Sequence, residues 1–233
     1  MKRLLTLSML FVCVTTLFAQ NDVTKFLGIP VDGSKSEMIQ KLKAKGFQYD
    51  SELDCLKGEF NGRDSYISVV TNNDKVYRIM VTDAIGSDES DIKIRFNTLC
   101  RQFENNPKYE PMTDKDQSIP DDEDLSYEIK VNKKRYEAGF YQIPSPLDTV
   151  AIYNESKQSL LDKYTQEQLD NPTEEISDEI QLKYLINKSK YDLQNLLTMS
   201  NKLVWFMIDD ILGRYNILLF YDNVYNQANG EDL

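Results

Sequence analysis

From Gly33 onward the apolar positions Met38, Ile39 and Leu42 recur at helical spacing within GSKSEMIQKLKAKG, a stretch that carries signals for both of its ends. Ser34 and Glu37 have the spacing of a capping box, in which hydroxyl and carboxylate each satisfy an orphan amide. Gly46 can take the left-handed conformation that stops a helix, with Phe47 packing back. The period then drops to two. Asp54 to Phe60 leads into Asn61-Gly62, a dipeptide suited to a type I′ hairpin turn. Ser65 to Thr71 alternates, with Ile67 and Val69 against Tyr66, Ser68 and Val70. After a turn at Asn72-Asn73-Asp74, Lys75 to Asp83 sets Tyr77, Ile79 and Val81 against Val76, Arg78 and Met80. One helix and three antiparallel strands make a first unit.

The plan recurs. Gly86-Ser-Asp-Glu-Ser opens a helix with Ile92, Phe96, Leu99 and Phe103 on one face. A polar loop ends in QSIPDDEDLSY, after which Leu125, Tyr127, Ile129 and Val131 alternate with Ser126, Glu128 and Lys130 and predict a strand. A turn at Asn132-Lys133 leads to a second strand with Tyr136, Ala138 and Phe140. The echo of SYISV…KVYRI in SYEIKV…KRYEA marks a repeated supersecondary unit, over 24–85 and 86–145.

Ile143-Pro-Ser-Pro146 punctuates the chain ahead of a helical insert over 147–200. One helix is predicted over Thr149–Tyr164, and Asn171-Pro172 opens another with proline at its first position. Ile176, Ile180, Tyr184, Tyr191 and Leu196 make that second helix a long amphipathic stretch. The C-terminal hairpin, 202–222, is apolar on both faces: Val204, Phe206 and Ile208 oppose Leu203, Trp205 and Met207. Such strands sit centrally or are covered on both sides. Helices interleaved with hairpins argue α+β: a meander sheet of about seven antiparallel strands with helices packed on it. A single domain over 20–233 is expected, with two tandem lobes sharing a sheet as the alternative.

Composition changes the picture at the N-terminus first. Lys2-Arg3, the apolar run Leu4 to Phe18, and Ala19-Gln20 have the form of a signal peptide over residues 1–19, with Leu17 at the −3 position. Cys13 would suit lipid anchoring only with a small residue before it. Val12 stands there and more apolar chain follows, so soluble export to the periplasm or the exterior is expected. Removing Lys2 and Arg3 from 27 basic residues leaves 25 against 38 acidic ones. That balance repels phosphate backbones and anionic lipid, so nucleic-acid partners and membrane-surface binding are not expected. No second apolar segment approaches the ~18–20 residues a spanning helix needs, so stable membrane insertion after cleavage is not expected either. Cys55 and Cys100 remain, and an oxidising compartment permits one disulfide between them. Cys100 lies on the apolar side of its helix, where a buried free thiol is the ordinary outcome.

The chain contains no histidine. That removes Ser–His–Asp and Cys–His catalysis and imidazole-based zinc sites, and no phosphate-loop or nucleophile-elbow motif is present. The run Asp121, Asp122, Glu123, Asp124 is read as a solvated loop at a charged strand entrance. Consecutive side chains splay, and calcium needs six to eight oxygens around one point with a tight glycine turn that this run lacks. A weak Ca²⁺ site drawing also on Asp114, Asp116 and Gln117 is the alternative. No cofactor is expected. Most of the fourteen Tyr and ten Phe fall on apolar faces. Tyr66, Arg78 and Tyr141 fall opposite the inferred core, and Trp205 joins them if that face is open, giving an aromatic–arginine surface of the kind that anchors interfaces.

The segments FLGIPVDGSKSEMIQKLKAKGF, GEFNGRDSY, NNDKVYRIMV, DIKIRFNTLCRQFE, VWFMI and FYDNVYNQANGEDL resemble a family of exported proteins of gut Bacteroidetes. The resemblance spans the mature chain and implies a Gram-negative host. It brings no activity with it. A looser likeness is to β-lactamase-inhibitor-protein-like domains, where a G-S-x-x-E…L…G helix leads into antiparallel strands and tandem units present a concave binding sheet. This chain departs from that pattern by lacking a cysteine pair per unit and by its helical insert. The expectation is a non-catalytic, exported binding or interaction protein. The alternatives are a carboxylate-dependent glycan hydrolase, which needs two acids facing across a cleft, and an envelope sensor of small molecules or metals.

Overall fold

The computed structural model describes residues 22–228 and 230. The expected signal peptide and Cys13 lie outside the described residues. The elements run β1 (Lys25–Phe26), β2 (Ile29–Pro30), α1 (Lys35–Ala44), β3 (Gln48–Asp50), β4 (Cys55–Phe60), β5 (Arg63–Asn72), β6 (Lys75–Asp83) and α2 (Glu89–Glu104). Then follow β7 (Tyr109–Pro111), α3 (Leu125–Lys130), β8 (Glu137–Gln142), α4 (Thr149–Gln158), α5 (Gln166–Asp170), α6 (Glu174–Ser200), β9 (Lys202–Ile211) and β10 (Arg214–Asn223). β1 and β2 form a small hairpin. The rest make one eight-stranded antiparallel sheet in the order β3-β4-β5-β6-β10-β9-β8-β7. The fold is α+β. Among the described residues, no helix is long and apolar enough to cross a membrane.

That order is symmetric in kind. α1 is followed by β3 to β6 and α2 by β7 to β10, and the last strands of the two sets pair at the centre of the sheet. The helix-plus-meander unit therefore recurs, but its second copy reaches to residue 223, with the helical insert between its second and third strands. α1 offers Met38 and Leu42, and α2 offers Ile92, Phe96, Leu99 and Phe103, to one face of the sheet. Ile67, Val69, Ile79, Val81, Val204, Phe206, Ile217 and Leu219 meet them there in a single cluster. Phe206 lies within 4.9 Å of Phe96 between ring centres, and Phe103 stacks on Phe140 at 4.9 Å.

Three expectations are corrected. Residues 125–130 form α3, not a strand. Asp124 caps it by accepting from the Tyr127 amide at 2.9 Å. Leu125 is buried and Ile129 packs on the core, while Tyr127 and Val131 are exposed. Positions i and i+4 coincide in a helix turn and in a strand; i+2 and i+6 do not, and here they point to solvent. Second, the pairing shifts between Val70↔Arg78 and Thr71↔Val76, leaving Tyr77 as an extra residue. The bulge returns Val76 to the core, where it is fully buried. Third, α4 stops at Gln158 rather than Tyr164, and α6 starts after an N-cap at Thr173, with Pro172 one residue ahead of the cap.

Cys55 and Cys100 are both buried free thiols. One lies on β4 and the other on α2, and no disulfide joins them.

Candidate binding face of the sheet

With both α1 and α2 packed on one side, the other face of the sheet is made by the alternate residues of its central strands. Tyr66, Ser68 and Val70 come from β5, Arg78, Met80 and Thr82 from β6, and Leu203, Trp205 and Met207 from β9; all are half-buried. None belongs to the core cluster. The register lays them out in rows. Tyr66 stands opposite Thr82, Thr82 opposite Leu218, and Leu218 opposite Met207. The next row runs Ser68, Met80, Phe220, Trp205, Gly139, and the third runs Val70, Arg78, Asp222, Leu203, Tyr141.

All four predicted residues, Tyr66, Arg78, Tyr141 and Trp205, are thus on this face, but only two of them touch. Trp205 stacks on Phe220 at 4.2 Å between ring centres. The Arg78 guanidinium lies 4.7 Å from the Phe220 ring and 5.6 Å from that of Trp205. Tyr66 is on the far side of β6, with the Lys57 ammonium 5.7 Å from its ring. Tyr141 stands beyond Leu203, toward the β7 edge.

The centre of the cluster is a residue that periodicity alone passes over. Asp222 is 1% exposed. Its carboxylate accepts from Arg78 Nε at 2.6 Å, from Arg78 Nη2 at 2.7 Å and from the Trp205 indole N–H at 3.0 Å. Hydrogen bonding to Asp222 pushes the Arg78 guanidinium above its already high ordinary value, so its charge is permanent. Asp222 thereby holds an arginine and an indole in fixed positions. The signal available in the sequence was an acid in an otherwise apolar run, Leu-Leu-Phe-Tyr-Asp.

At one end of the face lies a recess of about 360 Å³ bounded by Met112, Gln117, Glu137, Leu203 and Trp205 around Gly139. A Cβ at position 139 would stand 2.5 Å from Met112 Sδ, so a larger residue there would displace the Met112 side chain from the recess. Past the end of β7 the Gln117 amide takes over the role of a neighbouring strand. It accepts from Gly139 N at 2.8 Å and donates to Gly139 O at 3.4 Å.

The acidic run is elsewhere and is spent on structure. Lys93 donates to the carbonyls of Asp121 at 3.0 Å and Glu123 at 2.6 Å. The Glu123 carboxylate takes Lys134 and the Tyr136 hydroxyl, which hold it below its ordinary value. Asp124 caps α3, and Asp121 and Asp122 are exposed. Among the described residues, no group of three or more Cys, Asp or Glu side chains converges in a way that would hold a metal ion.

No protein-family model matches this chain, and neither curated proteins nor solved structures match it.

Proposed function

We propose that this chain is an exported, non-catalytic binding protein that takes its partner on the sheet face centred on Arg78 and Trp205, which lie over the buried Phe220. The observation that supports this reading is the combination of order and exposure. A buried carboxylate fixes the arginine and the indole, so little side-chain entropy is lost when a partner covers them. Around them, half-buried Met80, Met207, Leu203, Tyr66 and Tyr141 supply an adaptable apolar rim. Aromatic and arginine anchors surrounded by such contacts have the composition of a binding hot spot. The acidic balance of the chain favours a partner with a basic or neutral contact surface.

The chain has one tryptophan, Trp205, so its emission reports this face alone. The test is photo-crosslinking in native envelope extract, with a photoreactive residue in place of Tyr66 or Tyr141, and at Lys41 on the outside of α1 as the control. A shared adduct at the two sheet positions, absent at Lys41 and accompanied by a shift of Trp205 emission when the captured partner is added back, is expected. Adducts at Lys41 alone, or none on the sheet, would overturn the reading.

A further inference from the structure

The helical insert carries a surface that nothing among the described residues covers. α6 spends one face on α4 and the loop after it. Ile176 and Ile180 join a small cluster with Leu160 and Leu169, and Tyr184 meets Tyr153 at 6.0 Å between ring centres. Asn187 donates to Ser156 at 2.9 Å, and the Tyr191 hydroxyl to Glu155 at 2.7 Å. The opposite face carries Leu182, Leu185, Ile186, Leu193, Leu196 and Leu197, each between 44% and 61% exposed. At the helical rise this stripe is about 22 Å long. A contiguous exposed apolar stripe of this kind marks an interaction surface, as single scattered leucines do not.

The order of residues within the stripe indicates what covers it. Leu182 and Leu196 stand seven positions either side of Ser189, and Leu185 and Leu193 stand four either side. Ser189 is the small residue at the middle. A two-fold interface requires that if one residue meets another, the second also meets the first. The four leucines that mirror one another about Ser189 meet that requirement, while Ile186 and Leu197 fall level with Asp192 and Gln181 at the margins. We propose that α6 pairs antiparallel with α6 of a second copy of this chain across a two-fold axis at Ser189, giving a row of four helices in which each α6 lies between its own α4 and the partner's α6.

Leu182 then packs on the partner's Leu196, and Leu185 on the partner's Leu193. A specific interface needs about 1,200 Å² in total, so the stripe has to be covered along its whole length. Charge agrees. Lys188 and Asp192 pair at 2.7 Å on one flank of the stripe, and this two-fold sets that flank beside its own copy, so each Lys188 also reaches the partner's Asp192. On the same flank a groove of about 1240 Å³ opens at the base of the helix, bounded in part by Lys25, Lys108, Asp192, Asn195 and Met199. The antiparallel partner carries its acidic first turns, with Glu174 and Asp178, to the level of that basic groove.

Sedimentation equilibrium of the purified protein tests this. Twice the monomer mass is expected, falling to the monomer in Leu185→Glu/Leu193→Glu with the circular dichroism spectrum intact, since both side chains are exposed in the single chain. Burying four carboxylates across the axis weakens assembly by at least about a hundredfold. Ser189→Cys should cross-link two chains on mild oxidation, while Gln181→Cys, whose two copies stand about 24 Å apart along the axis, should not. A monomer at ~100 µM, where even a ~10 µM dimer is mostly assembled, overturns the proposal. So does a dimer that survives the double substitution, or equal cross-linking at 181 and 189. Co-sedimentation of a monomeric protein with lipid vesicles, abolished by the same pair, would assign the stripe to a lipid surface instead.

Discussion

Arg78 forks onto Asp222 across the two central strands, with Nε to Oδ1 at 2.6 Å and Nη2 to Oδ2 at 2.7 Å. The side chain of the acid is 2% exposed and that of the arginine 25%, so the pair joins a buried charge to a surface that faces solvent. Removing one partner leaves the other uncompensated. Arg78→Ala should therefore cost about 3 kcal/mol in urea unfolding, because Asp222 stays buried with only the indole as side-chain donor. Arg78→Lys should recover less than half of that loss, since an ammonium cannot form the fork. A cost below about 1 kcal/mol for Arg78→Ala would mean that Asp222 is reached by water.

The two faces of the sheet should respond differently to truncation. Phe206 is fully buried against Phe96 and Phe103, so Phe206→Ala should cost about 3–5 kcal/mol. Tyr66 is half-buried and outside the core cluster, so Tyr66→Ala should cost about 1 kcal/mol or less. Trp205→Phe keeps an aromatic ring over Phe220 but removes one donor to Asp222, an expected loss of about 1–2 kcal/mol. Equal losses at Tyr66 and Phe206 would show that the outer face is covered, and the proposed binding surface would fall with that result.

The first unit could be read from its sequence because local signals and tertiary demands agree there. Ser34 and Glu37 do form the capping box, and Gly46 does take positive φ. Asn61 and Gly62 both have positive φ in the β4–β5 turn, as a type I′ hairpin requires. The second unit could not be read in the same way. β7 is only three residues long, Tyr-Glu-Pro, and is defined by its partner β8, and α3 is so short that the alternation of Leu125, Tyr127, Ile129 and Val131 across it imitates a strand. The outer face of the sheet was visible as the residues opposite the core. Asp222, which organises it, was not, because a single acid in an apolar run does not reveal which residues, fifteen or more positions away, will pair with it. The exposed leucines of α6 were hidden for a similar reason. A helix apolar on two opposite faces shows one blurred stripe until its neighbour is known.

Both thiols should be silent in the folded protein. Burial pushes Cys100 up to about 12, and burial followed by the charge of Asp50 raises Cys55. At pH 8 the Cys100 thiolate is then about one part in ten thousand, too little for attack even where a reagent gains access. Titration with a thiol reagent should find no fast-reacting group in native protein and two in denatured, unreduced protein after any leader has been removed. One or none in the denatured state would mean that the two cysteines are bridged.

The last prediction concerns the anchor of the N-terminal segment. Asp22 accepts from Lys202 Nζ at 2.9 Å and from the Ser145 amide at 2.9 Å, tying the segment ahead of β1 to β9 and to the linker ahead of α4. Lys202 is 2% exposed and Asp22 25%. Burial therefore dominates at the lysine, which is pulled below its ordinary value despite the ion pair. At Asp22 burial pushes upward, but the Ser145 amide and Lys202 together outweigh it and the carboxyl sits below its ordinary 3.8. A carboxyl lowered by folding contributes stability that is whole above its unfolded value and lost as pH falls through its folded one. The wild-type protein should thus lose this increment only below about pH 4. Asp22→Ala should lose it at neutral pH, at a cost of about 3 kcal/mol, because a buried ammonium is left without its carboxylate. Asp22→Ala/Lys202→Met should regain most of it, since an apolar chain of similar length fills the lysine's place without charge. If the double variant is no more stable than Asp22→Ala in urea unfolding at pH 7, the loss comes from the untied Ser145 linker and not from the stranded lysine.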